Sequence, residues 1–96
     1  MAAYYVGTIR ITDPPLWESY VGQVGATISQ YGGRVIFRGT RSVDANAADS
    51  GDDQRIVTLH FDSLEAAKRW HESSEYQRLV PLRDAGARVE LLLYQG

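Results

Sequence analysis

The chain contains no cysteine, and that absence removes disulfides, thiolate nucleophiles, zinc–thiolate centres and iron–sulfur clusters together. It is compatible with a reducing compartment. Excess charge is also lacking: ten basic residues against twelve acidic ones leave a formal charge of −2 at pH 7, so nothing draws the protein to a nucleic acid or an anionic membrane. No apolar run approaches the roughly 20 residues of a membrane-spanning helix. The opening MAAYYVGTIRI has no basic segment followed by a long apolar core, as a secretory leader would. The expected location is the cytoplasm. Histidine is scarce too, with only His60 and His71. They fall on a strand and a helix, with no carboxylate at ligand spacing beside either, so no metal site is expected. There is no GxSxG elbow, and the glycines of YGGRVIFRG precede a strand instead of opening a helix, which rules out a phosphate loop. No cofactor is implied.

What is present is an ordinary globular composition, 44% hydrophobic and 23% charged over 96 residues. That suits one small domain, residues 1–96, whose modest core would gain from self-association. Ala3 to Ile11 is rich in tyrosine and β-branched residues and reads as a strand that ends at TDPP. Asp13 is placed to cap a helix with Pro14 or Pro15 in its first turn. Leu16, Trp17, Tyr20, Val21, Val24 and Ile28 then recur at helical spacing towards Tyr31, where Gly32 and Gly33 supply a C-terminal cap. Arg34 to Arg41 alternates as a second strand. Residues 42–53, SVDANAADSGDD, are small, acidic and aperiodic, and read as an exposed connection. Gln54 to Phe61 is a third strand, and Ser63 caps a helix with Leu64, Ala67 and Trp70 or His71 on its apolar stripe. One or two short helical turns broken at Pro81 follow, then a last strand from Arg88 to Tyr94.

The order β-α-β-β-α-β predicts an α+β, ferredoxin-like fold: a four-stranded antiparallel sheet with helices on one face. The other face is left open, and pairing it with the same face of a second copy gives a homodimeric α/β barrel. The segments ITDP, YGGRVIFRG and FDSLEAAKRWHESSEYQRLVPLR resemble the DUF1330 family of small bacterial proteins over nearly the whole chain. The resemblance implies a ferredoxin-like protomer and a dimeric α/β barrel. Other branches of that superfamily include cofactor-free monooxygenases, cyclases, isomerases and haem-degrading proteins. For DUF1330 itself no settled reaction is implied.

Strand alternation turns Val57, Leu59 and Phe61 to the helices and leaves Ile56, Thr58 and His60 on the open side. The same rule, with any bulge flipping part of the set, puts Val6, Thr8 and Arg10, then Arg34, Ile36 and Arg38, then Glu90 and Leu92, beside His60. Such a cavity holds an imidazole for proton transfer and an arginine for a carboxylate or enolate oxygen. His60 and Arg38 are thus the candidate catalytic pair, with Thr8, Tyr31, Tyr76, Trp17, Trp70 and Glu90 as candidate substrate contacts. Packing accounts for the same residues: Trp17 and Trp70 on helical stripes as core, His60 as a hydrogen-bonded interface residue, Arg38 in an interfacial ion pair with Glu90 or an acidic residue of a second copy. The expected activity is cofactor-independent proton transfer, cyclisation or isomerisation of a small anionic or carbonyl-bearing metabolite, with oxygenation a further option. The alternative is a non-catalytic binding or structural dimer.

Overall fold

A computed structural model describes residues 1–41 and 54–96. The acidic connection read over residues 42–53 lies outside them. Four strands, β1 (Ala3–Ile11), β2 (Arg34–Thr40), β3 (Arg55–Phe61) and β4 (Ala87–Gln95), form one antiparallel sheet in the order β2-β3-β1-β4. Helices α1 (Pro14–Gln30), α2 (Leu64–Glu72), α3 (Ser74–Gln77) and α4 (Val80–Gly86) complete the described elements. This is the expected α+β, ferredoxin-like topology.

Helix starts follow their caps. Asp13 Oδ1 accepts from the Leu16 amide at 3.3 Å, Ser63 Oγ from the Ala66 amide at 3.0 Å and Ser73 Oγ from the Tyr76 amide at 3.1 Å, each satisfying an amide that the first turn leaves without a partner. Helix α1 ends where Gly32 adopts φ 79°, a left-handed conformation that a side chain would oppose. Pro81 does not break the last helix. It sits in the first turn of α4, where its missing N–H costs nothing. At the other end of α4, the Gly86 carbonyl accepts from the amides of Thr12 and Asp13 at 2.9 and 3.0 Å, tying the end of α4 to the start of α1.

Ala3, Tyr5, Gly7 and Ile9 of β1 are buried against the helices, as are Leu59 and Phe61 of β3. Around Trp70, Tyr76 and Phe61, the largest fully buried side chains, the core is aromatic. Trp70 packs on Phe61 with ring centroids 5.6 Å apart and on Tyr76 at 4.2 Å. The Trp70 indole N–H donates to Thr27 Oγ1 at 3.0 Å, and that hydroxyl donates to the Val24 carbonyl at 2.7 Å, so the polar edge of the ring is satisfied inside the core. Among the described residues, none covers the opposite face of the sheet. Phe37, 55% exposed, and Tyr94, 53% exposed, stand on it with Leu92.

One expectation about β2 is corrected. Arg34 pairs with His60 and Val35 with Leu59, but the register then shifts, so that Phe37 opposes Thr58 and Arg38 opposes Val57. The extra residue, Ile36, is a β-bulge, and from there on each side chain points to the other face. Phe37 and Gly39 therefore take the open side. Arg38 turns to the helix side, away from His60.

Candidate functional site

The bulge decides which side of the sheet Arg38 is on. Between α1 and the sheet lies a cavity of about 250 Å³, against roughly 150 Å³ for an engineered apolar cavity that holds benzene. It has room for a molecule larger than one six-membered ring. Helix α1 supplies Trp17, Tyr20, Val24 and Ile28 to its wall because they recur on one helical stripe. The sheet supplies Val35, Val57, Leu59, Val89 and Leu91, and Trp70 and Tyr76 close the α2–α3 end. Three polar side chains, Arg38, Thr40 and Arg55, reach the cavity from the β2–β3 edge, where Thr40 pairs with Arg55. Both arginines are exposed, so this edge is the mouth. Among the described residues, the lining includes two guanidinium groups and no carboxylate or imidazole.

A second polar region stands at the walls. Tyr20 Oη lies 3.3 Å from Tyr76 Oη, and Arg83 Nη1 donates to Tyr76 Oη at 2.9 Å. The Arg83 Nε donates to Asp84 Oδ1 at 3.0 Å. Burial above all, then the neighbouring Tyr76 hydroxyl, pushes the Tyr20 phenol far above its ordinary pKa. Tyr20 is therefore a neutral hydrogen-bonding group at any physiological pH, and not a base.

The residues expected to act together are divided between the two faces. Arg38, Trp17, Trp70 and Tyr76 line the cavity on the helix side. His60 is on the open face, its ring edge-on to Tyr4 with centroids 5.3 Å apart, with the sheet between it and Arg38. Thr8 and Glu90 pair across β1 and β4 on that same open face, beside a shallower hollow of about 230 Å³ that they share with Arg10 and Arg88. Glu90 is thus no ion-pair partner for Arg38 across the sheet. Tyr31 is outside the cavity lining, and its hydroxyl donates to Glu75 Oε1 at 3.0 Å. Three residues that sequence reasoning had not placed in the site are Tyr20, Arg55 and Arg83. Tyr20 was visible as a member of the α1 stripe and Arg55 as a strand residue, but no sequence signal joins Arg83 to Tyr20.

Topology and cavity together define a ferredoxin-like α+β protomer with a hollow between its sheet and its first helix. The chain belongs to the family described as Domain of unknown function (DUF1330), which it matches over residues 2–96. Among solved structures it is similar to a protein of unknown function from Rhodopseudomonas palustris, at TM-score 0.81 and 16% identity over 99% of this chain and 82% of that one. SnoaB, a cofactor-independent oxygenase from Streptomyces nogalater, is similar at TM-score 0.71 and 12% identity, over 99% of this chain and 92% of that one. A dimeric protein of unknown function and ferredoxin-like fold from Bacteroides fragilis is similar at TM-score 0.58 and 10% identity, over 99% and 96%. Identities this low establish a shared fold. No curated protein matches the chain. Among the described residues no helix is long and apolar enough to cross a membrane.

Proposed function

We propose that this protein binds a small, flat, mostly apolar metabolite in the cavity between α1 and the sheet, with an anionic or enolisable oxygen held at the mouth by Arg38 and Arg55. The observation that carries this reading is the pairing of an apolar hollow with two guanidinium groups at its β2–β3 edge. Apolar walls supply affinity through area removed from water, and a guanidinium holds a carboxylate or enolate oxygen through paired N–H donors. Turnover proposed for such a site is a cofactor-independent isomerisation: an acidic C–H proton of the ligand leaves to water, the cations stabilise the enolate that remains, and water returns a proton at a different carbon. A cofactor-independent oxygenase of the same fold supports an enzymatic role. His60 has no part in this cavity.

A second reading, a metabolite-binding protein without turnover, is favoured by the lack of any carboxylate or imidazole among the described lining residues. Either way, the exposed Phe37, Leu92 and Tyr94 suit burial against the same face of a second copy, giving a homodimer in the cytoplasm.

The test is titration of naphthoate and its uncharged amide, read by the fluorescence of Trp17 and Trp70. Naphthoate is expected to bind about tenfold more tightly at low salt, about 1.4 kcal/mol. Arg38→Gln combined with Arg55→Gln is expected to bring the affinities of the two ligands level. Equal affinities in the parent protein would remove the anion, and no binding of either would remove the cavity site.

A further inference from the structure

We infer that the Tyr20–Tyr76 pair, backed by Arg83, presents one unspent phenol proton to whatever occupies the cavity, so the site selects molecules that carry a hydrogen-bond-accepting oxygen remote from their anionic end. The inference rests on the cavity being the ligand site and adds a second specificity element to it.

The argument is a count of protons. Arg83 Nη1 lies 2.9 Å from Tyr76 Oη, and a guanidinium can only donate, so Tyr76 Oη is an acceptor in that contact. Two phenol protons remain. The single contact between Tyr20 Oη and Tyr76 Oη, 3.3 Å long, consumes one of them, whichever ring donates it. If Tyr20 donates, the Tyr76 oxygen accepts twice and its own proton is left over. If Tyr76 donates, Arg83, Tyr76 and Tyr20 form a relay in which the Tyr20 proton is left over. Among the described residues, neither hydroxyl has any further partner.

That surplus donor is not in bulk water, because Tyr76 is 1% exposed and Tyr20 7%. Buried donors in folded proteins find an acceptor, and both rings belong to the cavity wall. Its natural partner is therefore an oxygen of the occupant, either a water or the ligand. Burial keeps the Tyr20 phenol protonated, so the pair donates across the physiological range and recognises ketone, quinone, ester or phenolate oxygens in preference to carbon skeletons with no accepting oxygen there.

Arg83 is a positioning residue here. It occupies an acceptor site on Tyr76 and polarises its O–H, which strengthens whichever donor is left over. Asp84, at 3.0 Å from Arg83 Nε, holds the guanidinium from behind.

The experiment uses two matched ligand pairs that differ only in a carbonyl oxygen: para-acetylbenzoate against para-isopropenylbenzoate, and acetylnaphthoate against isopropenylnaphthoate. Two lengths sample two separations between the anion and the ketone. In the parent protein, calorimetric titration is expected to favour the ketone of at least one pair by about tenfold. Tyr20→Phe with Tyr76→Phe is expected to abolish that preference, bringing the ratio of ketone to isopropenyl affinity close to one. Arg83→Gln is expected to reduce the ratio of ketone to isopropenyl affinity, a ratio that a merely structural role would not change. Equal binding of ketone and isostere in both pairs overturns the inference and leaves the cavity reading standing, with water as the partner of the spare proton. No binding of any of the four compounds overturns both.

Discussion

A cavity that exists to hold a ligand is space which the protein's own side chains decline to fill, and filling it should stabilise the fold at the expense of binding. Val24 is the position to test. It sits on α1, is buried, lines the hollow and has a branched side chain that helix geometry restricts. Val24→Leu adds one methylene to a space of about 250 Å³, so overpacking is not expected. The added burial contributes about 0.8 kcal/mol, and the exchange of a β-branched residue for leucine within a helix adds a few tenths of a kcal/mol. A gain near 1 kcal/mol raises Tm by roughly 4–8 °C in a domain of this size. Val24→Phe, with a larger side chain, should add to that gain and weaken naphthoate binding further. Differential scanning calorimetry and urea titration of the ligand-free variants measure the first effect, and fluorescence titration the second. A Val24→Leu or Val24→Phe variant that melts below the parent would show that the hollow is not usable space. A stabilised Val24→Phe variant with unchanged ligand affinity would place the ligand elsewhere.

Other consequences are measurable in the same assays. At Gly86 an added Cβ would lie 2.7 Å from the Trp17 amide nitrogen, against backbone that cannot give way, so Gly86→Ala should lose about 1–3 kcal/mol in urea titration. Gly22→Ala, on the exposed side of α1 with nothing within 4 Å, should instead gain roughly 0.5–1 kcal/mol. Thr27→Val leaves the buried Trp70 indole N–H without its acceptor and should cost about 1–3 kcal/mol, with a shift in tryptophan emission. Burial, and then Arg83, hold the His71 imidazole below its ordinary 6.5. As pH falls through 6.5 the unfolded chain takes up a proton that the folded one refuses. Stability is therefore expected to decline from there down to the folded-state pKa, and His71→Gln should flatten the urea midpoint over that window. The proposed homodimer predicts that Phe37→Arg on the open face shifts the parent's dimer to monomer in native mass spectrometry without changing the far-ultraviolet circular dichroism. A variant that remains dimeric would move the interface off this face.

Much of the architecture was legible in the chain because its signals are local. Asp13 and Ser63 act as caps through their own next few amides, Gly32 supplies the left-handed turn only a residue without Cβ enters freely, and alternation in Tyr4 to Arg10 and in Ile56 to Phe61 separates two faces by a period of two. The order of elements, the antiparallel α+β class, the existence of an open sheet face and the position of His60 upon it could therefore be read from local pattern alone. The packing of elements against one another settles which side of the sheet Arg38 is on and where the cavity lies. One unpaired residue at Ile36 inverts the rest of β2 and carries Arg38 across the sheet, and a bulge is a property of two strands meeting, not of one strand's pattern. The cavity is likewise a difference between surfaces contributed by α1, the α2–α3 segment and the sheet, and the Tyr20–Tyr76–Arg83 cluster joins side chains on three separate helices. Periodicity within one element records which side faces inward. It holds no record of the gap left when two such sides meet, or of which hydroxyls the packing brings within a hydrogen bond.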